Sequence, residues 1–176
     1  MAVPHGPSTS SLGIMKVTFA SLEECHFDQL LGVADRVARE RRYLAILEAP
    51  PPEHAFAFYR SVIADGQCHV ALIDERVVGW CDILPSFGQA RRHVGTLGIG
   101  IVPEFRGRGL GAQLLVTAIE VAWARGLTRI ELSVREDNLP AKALYERLGF
   151  KFEGVLKRSM LVDGKYYDCH FMAMLR

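Results

Sequence analysis

Short apolar runs recur along the chain and predict strands, and between them lie longer stretches with helical periodicity. A first strand is predicted over residues 13–19, after which Ser21 and Glu24 form the capping-box pattern that opens a helix. Prolines at 50–52 must end that helix, because proline lacks an amide hydrogen, but they can begin a second helix over 53–64. Two helices therefore precede the second predicted strand.

Strands and helices alternate in the middle of the chain. The apolar runs 68–73 and 77–84 are separated by Asp-Glu-Arg, which predicts a hairpin. A longer strand is predicted over 93–102, and residues 110–123 form a helix with an apolar stripe at four-residue spacing. Residues 128–134 then predict a further strand.

The C-terminal part predicts one more helix and a hairpin. Asn138 is a suitable N-cap, a proline fits the first turn that follows it, and Gly149 is a suitable end. Strands over 150–162 and 165–175 then form a hairpin around Asp163-Gly164, a dipeptide typical of a type I′ turn. The element order β-α-α-β-β-β-α-β-α-β-β predicts a mixed α/β sheet flanked by helices.

A length of 176 residues and an apolar fraction of 49% predict one domain with a single core. With 21 basic and 20 acidic residues there is no global field that would favour nucleic acid or an anionic membrane, so neither is an expected partner. The four cysteines lack the spacing of a metal site or of a disulfide framework. No metal is therefore expected, and the protein is expected in a reducing compartment, the cytoplasm. Without a signal-peptide pattern, residues 1–12 are expected to be a flexible segment before a domain at 13–176.

A glycine-rich loop joins the strand at 93–102 to the helix that begins at Leu110. Residues 106–111 read Arg-Gly-Arg-Gly-Leu-Gly. Glycines let the backbone turn with its N–H groups inward, and the helix start and the arginines add positive charge. The loop therefore predicts a phosphate site. Glycines at 95, 98 and 100 within the strand suggest that a cofactor lies against it.

In element order and in two motifs, the chain from about residue 13 onward resembles the GNAT superfamily of acyl-CoA-dependent N-acyltransferases. The loop at 106–111 is similar to the family's pyrophosphate loop. The segment Asn-Leu-Pro-Ala-Lys-Ala-Leu-Tyr at 138–145, with Gly-Phe at 149–150, is similar to a later family motif. The segment after residue 152 looks more narrowly like bacterial members that acetylate free amino acids and related small amines. The resemblance implies a single-domain fold with a mostly antiparallel sheet.

The resemblance also implies acetyl-CoA as co-substrate. It places the pyrophosphate on the backbone amides of the loop, and the pantetheine arm beside the end of the preceding strand, where two strands splay apart. Asn138 would reach the pantetheine and Lys142 the nucleotide phosphate, although Asn138 could equally serve only as a cap and Lys142 only as a solvated charge. The implied cofactor-binding residues are Ile101, Val102, Arg106, Gly107, Arg108, Gly109, Leu110, Gly111, Asn138 and Lys142.

The implied enzyme moves an acetyl group directly from the thioester to a primary amine, which must lose a proton while the departing thiolate gains one. Tyr145 matches the family's tyrosine and is the predicted catalytic acid, with a purely structural core tyrosine as the alternative. No carboxylate occurs within 96–102, which excludes a glutamate base on that strand. The base stays unassigned among His93, Glu104 and a water molecule held near Ser133.

In the family, the acceptor pocket is walled by the loop between the first two helices and by the last hairpin. Here these segments, with a nearby strand, contain Arg41, Arg42, Tyr43, Leu44, Glu48, Tyr166, Tyr167, Asp168 and Trp80. A free amino acid or similar small amine is the expected acceptor, with a protein N-terminus, a lysine or a polyamine as alternatives. A non-catalytic acyl-CoA-binding module is a further alternative. An exposed edge in the last hairpin predicts a homodimer.

Gly107, Gly109 and Ala112 also satisfy the dinucleotide-binding pattern Gly-x-Gly-x-x-Ala, with Glu131 as the ribose-binding acid. An NAD(P)-binding oxidoreductase is therefore a remote alternative. Residues 102–106 argue against it, because they separate the strand from the first glycine, and three predicted strands precede the motif.

Overall fold

The computed structural model describes residues 16–64 and 67–176, which contain seven strands and four α-helices. The strands are β1 (Val17–Ser21), β2 (Cys68–Ile73), β3 (Arg76–Pro85), β4 (Val94–Ile101), β5 (Arg129–Arg135), β6 (Lys151–Val162) and β7 (Lys165–Leu175). The helices are α1 (Phe27–Ala38), α2 (Pro52–Ile63), α3 (Leu110–Ala124) and α4 (Leu139–Leu148). The predicted order of elements and the mixed α/β class are confirmed.

All strands belong to one sheet with the order β1-β2-β3-β4-β5-β7-β6, in which only β4 and β5 are parallel. Trp80 lies against Gly100 and borders a cavity shared with α1 and α2, whereas Ile99 lies close to Gly111 of α3. Because successive strand residues point to opposite faces, α1 and α2 cover one face and α3 covers the other.

The sheet opens in its middle, between β4 and β5. These strands pair only over Val94–Thr96 and Arg129–Glu131. On its other side, β4 pairs with β3, and two hydrogen bonds show which β4 residues bond to that strand. Ser86 N–H donates to the Val94 carbonyl and Val102 N–H donates to the Val78 carbonyl, both at 2.9 Å. Since bonded positions alternate in an antiparallel pair, even-numbered β4 residues bond to β3. The backbone groups of Ile99 and Ile101 therefore face the gap.

Local predictions at the chain's turns had mixed outcomes. The first strand begins at Val17 rather than residue 13, and residues 13–15 lie outside the described residues. The capping box predicted at Ser21 is wrong, because Glu23 and His26 form it around a short 3₁₀ turn before α1. The type I′ turn is confirmed, since Asp163 and Gly164 have φ of 50° and 76°.

The glycines of β4 have a different cause from the one predicted. A Cβ on Gly100 would lie 2.4 Å from the ring of Trp80, and one on Gly98 would lie 3.0 Å from Oδ1 of Asp82. A Cβ on Gly95 would meet Ile83 at 2.6 Å. The idea that a cofactor against the strand explains these glycines is therefore wrong, because side chains of β3 already fill that space.

In the described segments, 16–64 and 67–176, the α-helices are 10 to 15 residues long. None of them has the combination of length and apolar character that a membrane span requires.

Candidate active site

A cleft of about 580 Å³ follows the gap between β4 and β5. It is lined by the end of β4, the glycine loop, the start of α3, β5, α4 and the segment after α1. Seven of the sequence-predicted site residues line it: Ile101, Arg106, Gly107, Gly109, Gly111, Asn138 and Tyr145. The other four, Val102, Arg108, Leu110 and Lys142, lie outside the lining.

The glycine loop ends in a helix start that has no side-chain cap. Gly107 and Gly109 have φ of 72° and 80°, a left-handed conformation that favours glycine. Gly109 is the N-cap of α3, and the first bond within the helix runs from Gln113 N–H to its carbonyl at 3.2 Å. The N–H groups from Gly109 to Ala112 therefore lack helical partners, and this helix end can bind an anion.

Arg106 supports the loop and does not point freely into the cleft. Its guanidinium makes a two-point ion pair with Glu40, with Nη1 donating to Oε2 at 2.8 Å. Its Nε donates to the Ile101 carbonyl at 2.7 Å. Arg108 is exposed and lies over the ring of Phe105, 5.4 Å from the centroid. Arg106 therefore supports the loop through its bonds to Glu40 and Ile101.

Three more predicted ligands have other surroundings. The N–H of Val102 donates to the Val78 carbonyl, so that amide is already used within the sheet. Leu110 is only 5% exposed and packs in the core, which leaves its backbone as the part that can face a ligand. Lys142 is half-buried on α4.

Asn138 caps α4 and also lines the cleft. Its Oδ1 accepts a hydrogen bond from the Ala141 N–H at 3.3 Å. The capping interpretation is therefore confirmed, and the same cap holds the side chain at the cleft wall.

Tyr145 lies in the cleft wall with its ring buried. The ring contacts Phe150 edge-on, with the centroids 5.8 Å apart, and the residue is only 7% exposed. Burial, with a smaller contribution from nearby Cys81, raises the pKa of the Tyr145 phenol well above its ordinary value. The phenol therefore keeps its proton at neutral pH.

A cationic and aromatic wall borders the other side of the cleft. The Arg135 guanidinium lies 3.9 Å from the ring centroid of Tyr167 and 5.4 Å from that of Tyr43. It pairs with both carboxylate oxygens of Asp137 at 2.6 and 2.7 Å, which lowers the pKa of that carboxyl. Its Nη1 is buried without a hydrogen-bond partner among the described residues.

Sequence reasoning missed Arg135, although a signal was present. The residue ends β5, and Asp137 follows two positions later, which is the spacing of a local ion pair. Both stand directly before the Asn138 motif.

Three residues of the predicted acceptor wall line the cleft. Arg42, Tyr43 and Leu44 line it, and Arg41 makes an ion pair with Asp163 in the β6–β7 turn, with Nε donating to Oδ2 at 3.1 Å. Trp80 differs, because it borders a second cavity on the α1 and α2 face.

The residues considered as bases are widely separated. The side chain of His93 is exposed, and it precedes β4 at the end of the strand farthest from the glycine loop. Glu104 makes an ion pair with Arg36. Only Ser133 lines the cleft.

The dinucleotide-binding alternative is wrong, because its predicted ribose-binding acid is not at the glycine loop. Glu131 is held by Arg129, with Nε to Oε2 at 3.0 Å, and by Arg91, with Nη2 to Oε1 at 2.5 Å. It pairs in register with Thr96, five residues before the end of β4. Its carboxylate is thus neutralised at the far end of the strand from Gly107 and cannot bind a ribose at the loop.

The model of the acetyltransferase (GNAT) family matches residues 29–150, more than half of the chain. The chain belongs to this family. An L-amino acid N-acetyltransferase of Escherichia coli K12 is 38% identical over 109 residues, covering 61% of this acetyltransferase and 67% of the relative. A solved GNAT acetyltransferase of Streptococcus pneumoniae is 27% identical, with a TM-score of 0.85 over 92% of this chain and 100% of its own.

A second solved structure shares the fold of this GNAT acetyltransferase. It is an acetyltransferase of Salmonella typhimurium, described with its cofactor acetyl-CoA, and its TM-score is 0.84 over 90% of this chain and 93% of its own. At 17% identity this likeness shows the fold alone.

Proposed function

We propose that this acetyltransferase moves an acetyl group from acetyl-CoA directly to the primary amine of a free amino acid or similar small amine. The observation that carries the proposal is the gap between β4 and β5, which opens beside an uncapped helix start. Unpaired strand amides and an anion site meet there. Few ligands other than a phosphate carrying a long amide-containing arm would use both.

Acetyl-CoA fits this arrangement in two parts. The N–H groups from Gly109 to Ala112 bind the pyrophosphate, helped by the positive end of the α3 dipole. The N–H groups of Ile99 and Ile101 and the Ile99 carbonyl face the gap and pair with the pantetheine amides, whereas the Ile101 carbonyl already accepts from Arg106. The acetyl-CoA described with the Salmonella structure supports the same co-substrate here.

The chemistry follows from what lines the gap. The amine nitrogen forms a bond with the thioester carbonyl carbon, the C–S bond breaks, and the thiolate takes a proton. Tyr145 supplies that proton, because its phenol stays protonated at neutral pH and its residue lines the same cleft. Holding both reactants in the gap contributes to the rate through positioning.

The acceptor class rests on the wall formed by Tyr43, Arg135 and Tyr167. The unpartnered Nη1 of Arg135 would be satisfied by the carboxylate of an amino acid, and Arg42 adds a second positive charge at the cleft. The Escherichia coli relative named as an L-amino acid N-acetyltransferase supports the same class.

The first test is calorimetric titration with acetyl-CoA, with NAD and NADP as controls. We expect saturable binding of acetyl-CoA and none of the dinucleotides. Binding of a dinucleotide without acetyl-CoA would overturn the proposal.

The second test is an acceptor panel of L-amino acids, their decarboxylated amines, spermidine and a peptide with a free N-terminus. We expect each amino acid that reacts to be turned over faster than its decarboxylated amine, because only the former can pair with Arg135. Preference for spermidine or the peptide would refute the acceptor class. Binding of acetyl-CoA with no turnover of any amine would identify a non-catalytic module.

A further inference from the structure

Asp82 of β3 places a carboxylate against β4, one strand away from the gap, and it is not part of the cleft lining. It pairs in register with Gly98, where an added Cβ would lie 3.0 Å from Oδ1 and 3.2 Å from Oδ2. The Trp80 indole Nε1 donates to Oδ2 at 3.1 Å and fixes the carboxylate in this position. The absent side chain of Gly98 is therefore what allows a carboxylate to stand against β4.

Register connects this carboxylate to the cleft. Thr96 and Glu131 are the last paired residues of β4 and β5, so Gly98 is level with Ser133 two positions later. Thr96, Gly98, Glu131 and Ser133 all point to one face by strand alternation, and Asp82 shares that face as the partner of Gly98. Asp82, Gly98 and Ser133 thus form a row across the opening, and Ser133 lines the cleft.

On its other side, Asp82 borders a second cavity of about 270 Å³ beneath α1 and α2. The walls are apolar and include Leu30, Ala34, Ile46, Ala55, Phe58 and Val62. Three other titratable groups line it: His54 and Tyr59 of α2, and Cys68 of β2.

Two of these groups are neutral near pH 7. Burial raises the pKa of Tyr59 to about 12 and holds that of Cys68 well above its ordinary value. The adjacent Cys81 points to the α3 face, and its pKa is also raised well above the ordinary value by burial. The contributions of α1 and of the segment after it to the cavity are apolar residues.

We propose that Asp82 is the catalytic base of the transfer and that the amine binds level with Gly98, between the Asp82 carboxylate and Ser133. This inference rests on the proposed function and fills the role for which β4 itself has no carboxylate. The apolar cavity beyond Asp82 then receives the acceptor's side chain, so an amino acid with an apolar side chain is the preferred substrate.

The protons balance across the two faces of the sheet. One ammonium proton passes to Oδ1 of Asp82, and the freed lone pair forms the C–N bond with the thioester carbonyl. The C–S bond breaks, and sulfur takes the proton of Tyr145 on the α3 and α4 side. The tyrosine is restored by the second proton that the nitrogen releases, and Asp82 passes its own to solvent.

Asp82 has suitable basicity for this role. Burial raises the pKa of its carboxyl to about 7, and the Trp80 hydrogen bond offsets only part of that effect. A carboxylate with an ordinary pKa would be too weak a base for an ammonium ion, whereas one that titrates near neutrality is matched to the working pH.

The decisive experiment compares the wild type with Asp82→Asn on L-leucine, or on the best acceptor of the panel, from pH 5 to 9. We expect kcat/KM of the wild type to rise with an inflection near pH 7. In Asp82→Asn we expect kcat at pH 7 to fall by about 100-fold or more, and the inflection to disappear. The matched variant His54→Gln, which removes the imidazole that lines the same cavity, should keep the inflection.

A substrate-free measurement accompanies it. In a Trp123→Phe background, Trp80 is the remaining tryptophan. Its fluorescence should change with a midpoint near pH 7 when residue 82 is aspartate, and this change should be absent in Asp82→Asn. A midpoint below pH 5, or an Asp82→Asn variant that keeps its inflection and most of its kcat, would overturn the assignment. Loss of acetyl-CoA binding or of all turnover in the wild type would instead refute the proposed function, on which the base depends.

Discussion

At the scale of single residues, Tyr145 combines a buried ring with a place in the cleft wall. Its ring packs against Phe150, and Asn138, the N-cap of α4, lies two turns earlier in the chain. The packing orients the phenol, and burial keeps it protonated. Packing and proton donation are therefore two uses of one side chain, and they can be separated by removing the hydroxyl alone.

Replacing Tyr145 by Phe should lower kcat by about 100-fold or more while leaving the affinity for acetyl-CoA within about threefold. The ring and its contact with Phe150 remain, so the loss falls on proton donation. Steady-state kinetics and calorimetry measure the two quantities. A kcat close to that of the wild type across the pH range would remove Tyr145 from the mechanism.

Motif positions could be predicted at this scale, but partners could not. Gly107, Gly109, Asn138 and Tyr145 stand at the cleft because local spacing fixes them on a loop and a helix start. The partner of Arg106 is Glu40, 66 residues away, so no local pattern could assign that arginine to loop support.

At the scale of elements, α3 shows how one glycine sets the chemistry of a helix start. Gly109 takes φ 80° and ψ −5° at the N-cap, and open space surrounds its missing Cβ except for Gln113 at 3.9 Å. Gly126 takes φ 90° just beyond the other end of the same helix, with nothing within 4 Å. The two positions share a positive φ, which strains any other residue, but they lie at opposite ends of the helix.

This pair allows a controlled test of the phosphate loop. Gly109→Val and Gly126→Val should each cost about 1–2 kcal/mol or more of stability, because a branched residue is strained at positive φ. Only Gly109→Val should weaken acetyl-CoA binding, by about tenfold or more, since it crowds the N–H groups that face the pyrophosphate. Thermal unfolding and calorimetry give the two numbers, and equal affinities in the two variants would contradict the loop assignment.

Element boundaries followed the hydrophobic pattern closely, whereas strand pairing did not. The strands at 68–73 and 165–175 and the helix that begins at Leu110 were predicted at the residues where they occur. The family resemblance implied that two strands splay apart at the end of β4, and the short pairing of β4 with β5 agrees with it. The residue at which that pairing stops could not be predicted, because it depends on how distant segments pack rather than on composition. The same limit explains the misread glycines, whose neighbours come from β3.

At the scale of the whole molecule, the sheet consists of two parts, β1–β4 and β5–β7, joined through three residue pairs. Ion pairs between distant segments also link the parts, as Arg41 does with Asp163. The edge strand β6 exposes Phe152 and Leu161, by 52% and 54%. Dimer formation through that edge stays a prediction.

The open middle of the sheet gives neighbouring residues of one strand opposite behaviour toward deuterium. The amides of Gly98 and Gly100 bond to β3, whereas those of Ile99 and Ile101 face the gap. In the free protein, we expect the first pair to exchange slowly and the second pair as quickly as an edge strand. Acetyl-CoA should slow only the second pair, as mass spectrometry or NMR can measure residue by residue. Uniform protection along β4 without ligand would show that the gap is closed in solution. Alternating protection would mean that the free acetyltransferase leaves alternate backbone amides of β4 without a protein partner, so that they can bond to its co-substrate.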